Sequence, residues 1–309
     1  MRNVRFIVLA LLVAAATFAV ARLIDNAYVF FAGYVVLQYI VLATAWNILG
    51  GYTGYVNFGT AAFFALGAYT TVVLHKTVPV LPLPAMMLVG GAISGVIGLG
   101  MGYLTLRLRG TFFSIASLAM AVVAQTLITN WNFVGGSRGA YIIRPAQSPI
   151  FPGDYIQYLF VVMLLLSVVS VSIARAIQHS RLGYGFSAIR DDEAAAEASG
   201  VPTLRLKLIA TALSGGLMGM AGAPLPYYVT YLDPASGFSL SYAVNTIAMP
   251  LIGGTATWLG PVIGAILLGT LQQVATVTIS SALSLLLVGL LLVGFVVAAP
   301  KGIVGWFSR

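Results

Sequence analysis

Long apolar runs separated by short polar or charged segments occupy almost the whole chain. A helix that crosses a bilayer needs about 20 apolar residues, because each residue rises about 1.5 Å through about 30 Å of hydrocarbon. Windows of this kind predict about ten membrane-spanning elements. They lie near residues 6–24, 28–49, 56–74, 80–104, 111–131, 155–177, 204–223, 240–252, 258–276 and 282–299.

Two of these elements are irregular. The eighth is short for a full crossing, and Pro224 and Pro226 interrupt the apolar run after the seventh. Both features predict broken or re-entrant segments, which a membrane protein tolerates only beside other protein or water. Small-residue spacings predict close helix crossings. They occur at Gly91 and Gly95, at Gly98 and Gly102, and at Gly215 and Gly219.

Composition supports a membrane protein. The 309 residues are 60% hydrophobic, with a mean hydropathy of +1.00, and only 7% are charged. A soluble domain carries about 25% charged residues, so these charges are too few to cover a globule in water. The absence of cysteine excludes a disulfide-stapled domain, thiolate metal sites and thiol catalysis. We predict an all-α polytopic membrane protein with one membrane domain over residues 1–309.

The basic residues predict the topology. With the N-terminus in the cytoplasm and alternating spans, most of the 15 Lys and Arg residues fall on the inner side. The inner set is Arg2, Arg5, Arg107, Arg109, Arg175, Arg181, Arg190, Arg205, Lys207, Lys301 and Arg309. The outer set is Arg22, Lys76, Arg138 and Arg144. This asymmetry is typical of a bacterial inner-membrane protein with both termini in the cytoplasm.

The N-terminal region resembles a signal peptide. Arg2 and Arg5 precede an apolar stretch that ends in the small residues of 19–21. Its removal would leave every later span in the same orientation, so the charges do not decide the matter. We expect the segment to be retained as a first membrane helix.

A glycine-rich segment at residues 50–60 mixes glycines with small polar side chains. Glycine lets helices approach closely, or lets unwound backbone line a cavity. We predict a broken helix that lines a translocation path; the alternative is a tight helix contact followed by an ordinary span. The candidate pathway residues here are Gly51, Thr53, Gly54, Asn57, Gly59 and Thr60.

A predicted cytoplasmic loop at about 178–207 holds four of the seven acidic residues. Asp191 or Asp192 can cap a helix, because a carboxylate accepts the free N–H groups of the first turn. Glu193 then lies where the helix dipole favours negative charge. The alanines that follow favour helix, Gly200 ends it and Pro202 prevents its continuation. The pattern predicts a short capped helix; the alternative is a solvated connector.

Three blocks resemble the permease subunits of branched-chain amino-acid ABC importers. They read GGYTGYVNFGTAAFFALGAY at 50–69, SRLGYGFSAIRDDEAAAEASGV at 180–201 and IGGTATWLGPVIGA at 252–265. The blocks follow the family order, and the resemblance covers nearly the whole chain. It is closest to the LivM-type subunit. Asn57 stands where the family usually has Ser, and Thr60 where it usually has His.

The resemblance implies a fold and a set of partners. It implies two pseudo-symmetric halves of about five helices, a second permease subunit of the LivH type, two cytoplasmic ATPase subunits and a periplasmic solute-binding protein. ATP and Mg²⁺ would bind to the ATPase partners, and this chain would hold no cofactor. The capped helix would dock on an ATPase. The residues assigned to this coupling are Arg190, Asp191, Asp192, Glu193, Glu197 and Gly200.

A predicted external loop at about 132–154 carries Arg138 and Arg144 among prolines and glycines. This composition predicts a structured but non-helical cap rather than a domain. The two cations are candidates for docking an acidic patch of the binding protein. The alternative is a plain surface loop.

Other functional classes lack their residues in this sequence. Carriers driven by ions commonly keep carboxylates inside the membrane, and no predicted span holds Asp or Glu. No phosphate-binding G-x-x-x-x-G-K-[ST] motif occurs, and His75 and His179 lie at opposite membrane ends. Gln125 and Asn245 are candidates for lining the path; alternatively, they bond neighbouring helices.

We therefore expect a permease without enzyme activity. The resemblance to the branched-chain permeases implies leucine, isoleucine and valine as its solutes. Related permeases carry urea, short amides or small carboxylates, and these solutes stay open. The competing classes are an autonomous secondary carrier or channel, and a membrane enzyme.

Overall fold

The computed structural model describes residues 2–24, 26–105, 108, 110–148, 151–278, 286, 289–295 and 302–307. Helices dominate this part of the chain. The first seven are α1 (Arg2–Leu23), α2 (Ala27–Thr53), α3 (Thr60–Thr77), α4 (Leu83–Thr105), α5 (Thr111–Thr129), α6 (Tyr155–Gln178) and α7 (Arg181–Asp191). They are followed by α8 (Glu193–Ala198), α9 (Thr203–Gly222), α10 (Leu225–Val229), α11 (Pro234–Gly237), α12 (Leu240–Gly253), α13 (Leu259–Thr278) and a short helix at Gly302–Phe307.

Within the described residues, seven helices are long and apolar enough to cross a membrane. They are Val4–Leu23, Ala27–Thr53, Leu83–Thr105, Thr111–Thr129, Tyr155–Gln178, Thr203–Val229 and Leu259–Thr278. The third and eighth predicted spans also form helices, α3 and α12, but these are not among the seven. The 14 residues of α12 extend only about 21 Å, which is short for a full crossing. The chain is thus an all-α protein built of several membrane-length helices.

The first nine predicted spans each coincide with a helix, and their ends agree to within about four residues, which is the usual margin for helix boundaries read from a sequence. The tenth, at 282–299, falls largely outside the described residues. The expected interruption near Pro224 lies between the end of α9 at Gly222 and the start of α10 at Leu225. The count of about ten spans, the cytoplasmic termini and the single membrane domain over 1–309 stay predictions.

The chain forms two compact units, each assembled from separate stretches of sequence. The first comprises Met1–Asn47, Ala146–Ser180 and Asn245–Arg309, and the second comprises Ile48–Pro145 and Arg181–Val244. The second unit holds the glycine-rich segment and the 178–207 loop, apart from the first three residues of that loop.

Helices α3, α4 and α9 form the core of the second unit, and small residues let them approach closely. A Cβ at Gly67 of α3 would lie 1.9 Å from the carbonyl oxygen of Gly219 on α9. A Cβ at Gly91 of α4 would lie 3.0 Å from the carbonyl oxygen of Gly216. The Ser94 hydroxyl of α4 donates a 3.1 Å hydrogen bond to the carbonyl of Phe63. The close crossings predicted at Gly91 and Gly219 are therefore confirmed.

Aromatic rings hold the first unit together. Phe30 of α2 meets Phe160 of α6 edge to face, with ring centroids 5.4 Å apart. Phe18 of α1 lies against both rings. At the other end of α1, the guanidinium of Arg175 stacks 4.1 Å from the Phe6 ring centroid, so the amphipathic cation packs on an aromatic face.

Candidate functional site

The glycine-rich segment breaks the helical run between α2 and α3. Helix α2 ends at Thr53, residues 54–59 are not helical, and α3 begins at Thr60. Gly54 has φ +79°, a left-handed conformation that costs glycine little and that other residues adopt rarely. The predicted helix break is present, and we call residues 54–59 the linker.

Side chains, mainly from α5, hold the backbone of the linker. The Ser114 hydroxyl donates to the Val56 carbonyl at 2.8 Å, and the Phe58 N–H donates to the Ser117 hydroxyl at 3.0 Å. Within the linker, the Gly59 N–H donates to Asn57 Oδ1 at 2.7 Å. Backbone groups that have left a helix need such partners when they are buried. Two serines and one asparagine thus fix the shape of the linker.

The predicted pathway residues near the linker differ in what they contact. Asn57 is buried and bonds its own backbone two residues on, and the Thr53 hydroxyl donates to the Leu49 carbonyl at 2.6 Å. Gly51 is buried. The hydroxyl of Thr60 is fully buried and makes no hydrogen bond within the described residues. The pathway role of all these residues stays a prediction.

The other two predicted pathway residues lie in different units. Gln125 is half-buried on α5 of the second unit. Asn245 belongs to the first unit, where its Nδ2 donates to the Tyr39 hydroxyl at 3.1 Å and its Oδ1 accepts from Gln272 at 2.9 Å. Asn245 therefore joins three helices of one unit, as the helix-bonding alternative predicts.

The capped helix predicted in the 178–207 loop is present as α8. Asp192 is its N-cap, and its carboxylate accepts from the N–H groups of Ala194 and Ala195 at 2.9 and 3.0 Å. Gly200 follows the helix with φ +84°, and α9 starts after Pro202. The sequence left Asp191 and Asp192 as candidates for the cap. Asp191 is the last residue of the preceding helix, so the cap is Asp192.

A buried ionic cluster joins α8 to the linker and to α9. Lys207 Nζ lies 2.7 Å from Glu193 Oε1 and donates at 3.1 Å to the hydroxyl of Tyr55, which in turn donates to Glu193 Oε2. The lysine ammonium also lies 4.6 Å from the centroid of the Tyr55 ring. The Lys207 and Glu193 side chains are only 4% and 14% exposed. We call Tyr55, Glu193 and Lys207 the ionic cluster.

Sequence reasoning missed this cluster. It placed Glu193 at the start of a helix, where the dipole alone accounts for a carboxylate, and counted Lys207 as one more cytoplasmic charge. The available signal was a lysine close to the start of an apolar span, where a buried cation requires an anionic partner. The identity of that partner depends on how α8 folds back on α9.

The remaining coupling residues lie nearer the surface. Arg190 and Asp191 form a 3.3 Å ion pair whose side chains are 38% and 71% exposed. Glu197 and Gly200 are exposed. Arg190 also lies against Gly54, which stays partly exposed: a Cβ there would lie 3.2 Å from Arg190 Cγ. Side chains of both α7 and α8 thus contact the linker.

Over residues 132–148 and 151–154, which the structure describes, the predicted external loop contains short turns and a strand pair. The expectation of a non-helical loop was wrong in part, because the loop contains two single 3-10 turns, Asn132–Val134 and Gly136–Arg138. Glycines with positive φ separate these turns and end the second one. A short strand β1 (Ala140–Tyr141) then pairs antiparallel with β2 (Tyr231–Leu232).

The two predicted docking cations differ in exposure. Arg138 is exposed, whereas Arg144 is half-buried with its Nη1 3.5 Å from the Tyr228 carbonyl. Nearby, the Ser236 hydroxyl donates to Asp233 and keeps the pKa of that carboxyl below its ordinary value. Arg138 is therefore the more accessible candidate for a partner, and Asp233 adds a negative charge to the same surface region.

Among the described residues, no group of three or more His, Asp or Glu side chains is arranged to hold a metal ion. His75 Nδ1 lies 3.0 Å from the Tyr227 hydroxyl. The polar groups that lie together in the structure are those of the linker and of the ionic cluster. They hold the linker backbone in place and join helices.

Seven membrane-length helices among the described residues, together with a non-helical linker bonded to a capped loop helix, define a multi-pass membrane protein. Residues 28–296 match the model of the family described as "Branched-chain amino acid transport system / permease component". The chain belongs to this family.

Its relatives are transport permeases. The "High-affinity branched-chain amino acid transport system permease protein LivM" of Salmonella typhimurium is 27% identical over 289 residues, covering 86% of this chain and 67% of its own length. The "Probable branched-chain amino acid transport permease protein LivH" of Methanocaldococcus jannaschii is 24% identical over 274 residues, covering 82% and 84%.

One solved chain, described as an ABC transporter of the metal-chelate type in an inward-facing conformation, is 15% identical with a TM-score of 0.48. It covers 96% of this chain and 99% of its own length. A likeness at this level has no bearing on substrate or mechanism.

Proposed function

We propose that this chain is the LivM-type permease subunit of an ABC importer in a bacterial inner membrane. It passes branched-chain amino acids from a periplasmic binding protein to the cytoplasm. A LivH-type permease completes the membrane path, and two ATPase subunits, which bind ATP and Mg²⁺, drive it from the cytoplasmic side. The match of residues 28–296 to a permease family supports the class of protein.

The observation that carries the proposal is the attachment of α8 to the linker. A permease driven by separate ATPases requires a cytoplasmic element that receives their movement and a pathway element that responds. Helix α8 is short, capped and partly exposed, and Glu193 ties it to Tyr55 of the linker. An ordinary connector between two membrane helices requires neither the cap nor the buried tie.

The proposed solutes fit a path with little net charge. Lys207 lies at the start of α9, but Glu193 neutralises it at 2.7 Å. A zwitterionic amino acid carries no net charge and needs no fixed counter-ion in such a path. Transport of urea, short amides or small carboxylates is the second candidate function, because Asn57 and Thr60 replace the residues usual in the branched-chain family.

Reconstitution tests the proposal. Vesicles would contain this chain, its second permease and the ATPases of the same system, with ATP inside and the binding protein outside. We expect saturable uptake of radiolabelled leucine. Isoleucine and valine should compete with leucine for this uptake. A non-hydrolysable ATP analogue should stop it.

Urea, acetamide and propionate serve as comparison solutes in the same vesicles. Uptake of one of them without leucine uptake would replace the branched-chain assignment by the second candidate. Leucine uptake that continues with the non-hydrolysable analogue would contradict the ABC mechanism.

A further inference from the structure

We propose that the ionic cluster of Tyr55, Glu193 and Lys207 transmits the movement of α8 to the linker, so that these three side chains are positioning residues for transport. The inference rests on the proposed function, in which α8 receives the movement of an ATPase. It adds the route by which that movement reaches the pathway.

The cluster is a short connection between elements far apart in sequence. Glu193 is the first residue of α8, Tyr55 is the second residue of the linker, and Lys207 lies in the second turn of α9. Each side chain contacts the other two. A displacement of the start of α8 therefore acts directly on the linker and on α9.

Burial makes this connection stiff. Charge-assisted hydrogen bonds are shorter and stronger than neutral ones, and water does not compete for them inside the protein. The Lys207 side chain is 4% exposed, so separating it from Glu193 takes the carboxylate away from a buried ammonium, which is costly. The ion pair of Arg190 and Asp191 is far more exposed and constrains its neighbours less.

The linker carries the displacement onward to α5. Tyr55 packs edge to face on Phe113 at 5.1 Å, and Ser114 and Ser117 bond the linker backbone at Val56 and Phe58. Contacts from α8 thus continue, residue by residue, to a membrane-length helix. Residues 54–59 are not helical, so the linker can change shape when these contacts move.

Two variants separate transmission from stability. The double variant Glu193→Met with Lys207→Met removes both charges and keeps apolar volume, a replacement that commonly leaves stability unchanged or raises it. The single variant Tyr55→Phe removes only the hydroxyl that bridges the two charged groups and leaves the ring on Phe113. Arg205→Gln is the matched control, because it removes an exposed cation from α9 two residues before Lys207.

The measurement is leucine uptake per ATP hydrolysed in the reconstituted complex, with melting temperature and subunit content determined for each variant. We expect the double variant to assemble and hydrolyse ATP, while uptake per ATP falls about tenfold, in line with the loss of hydrogen bonds to charged groups. Tyr55→Phe should lower uptake per ATP about threefold, in line with one lost hydrogen bond. Arg205→Gln should retain the parent ratio.

An assembled double variant with the parent ratio of uptake to hydrolysis would overturn the inference, since the cluster would then be structural only. A parallel loss of hydrolysis and uptake would also overturn it, because the defect would lie in ATPase docking. If the parent complex itself shows no ATP-dependent uptake of any solute, the proposed function fails. That failure is visible before any variant is compared.

Discussion

At the scale of single residues, the core of the second unit depends on the absence of side chains. Gly67 and Gly219 let the backbones of α3 and α9 meet, and an added Cβ at Gly67 would overlap the Gly219 carbonyl. Backbone cannot swing aside as a flexible side chain does. The added volume must therefore push the two helices apart.

We expect Gly67→Ala to destabilise the protein by about 1–3 kcal/mol or to prevent folding, as overpacking of a core does. Gly100→Ala on α4 is the control, because a Cβ there meets nothing within 4 Å. Size-exclusion profiles and melting temperatures of the detergent-solubilised variants measure the effect. Equal melting temperatures for both variants would refute the close crossing.

Gly54 tests the linker. A leucine there must adopt φ near +79° and displace Arg190, whose Cγ lies 3.2 Å from the Cβ position. The left-handed conformation costs a non-glycine residue about 1–2 kcal/mol. We expect Gly54→Leu to block uptake in complexes that still assemble, whereas Gly100→Leu should transport normally. Normal uptake by assembled Gly54→Leu would show that the shape of the linker does not matter for transport.

Two neighbouring carboxylates show how much a sequence reveals about single residues. The capping role of Asp192 is local, because a cap bonds N–H groups two and three residues away, and it was among the predicted possibilities. The inward position of Glu193 depends on Tyr55, which is 138 residues distant. Spacing along the chain carries no information on that contact. We expect Glu193→Lys to disrupt folding, because it places a second cation beside the buried Lys207.

At the scale of elements, the cap of α8 determines whether a helix of six residues persists. Loss of an N-cap costs about 1 kcal/mol, and so short a helix has little other local stability. We expect Asp192→Ala to lower both the ATPase activity stimulated by the binding protein and uptake several-fold.

Asn caps helices about as well as Asp, so Asp192→Asn should retain most of the activity lost in Asp192→Ala. The comparison uses stimulated hydrolysis in complexes of equal subunit content. If Asn and Ala reduce activity equally, the charge of Asp192 matters and its cap does not.

Element boundaries were predictable because they follow from local chemistry. Apolar length marked the long helices, glycine and proline marked the breaks at residues 54–59 and 224, and alanines flanked by Asp192 and Gly200 marked α8. The partners of these elements were not predictable. Asn245 was predicted either to line the path or to bond neighbouring helices. It bonds Tyr39 and Gln272, and only the packed helices bring those groups within reach.

At the scale of the whole molecule, the proposed import function requires a binding protein on the external side. Arg138 is exposed on the predicted external loop, beside glycines that hold the turn. Opposite charges steer docking, and salt weakens that steering because screening limits its reach to about 8 Å at physiological ionic strength.

We expect Arg138→Glu to raise the concentration of binding protein that gives half-maximal ATPase stimulation, and the effect should shrink at high salt. Arg138→Gln should give a smaller change, and basal hydrolysis should stay constant in both variants. An unchanged half-maximal concentration at low salt would place the docking surface elsewhere on the external side.

The central claim is that this chain is a conduit that transports only when separate ATPases drive it. The test compares two vesicle preparations. Both contain the two permease subunits, binding protein, leucine and internal ATP, and only one of them contains the ATPases. We expect leucine to accumulate in the complete vesicles and not in vesicles that lack the ATPases. Accumulation by the permease subunits alone would contradict it.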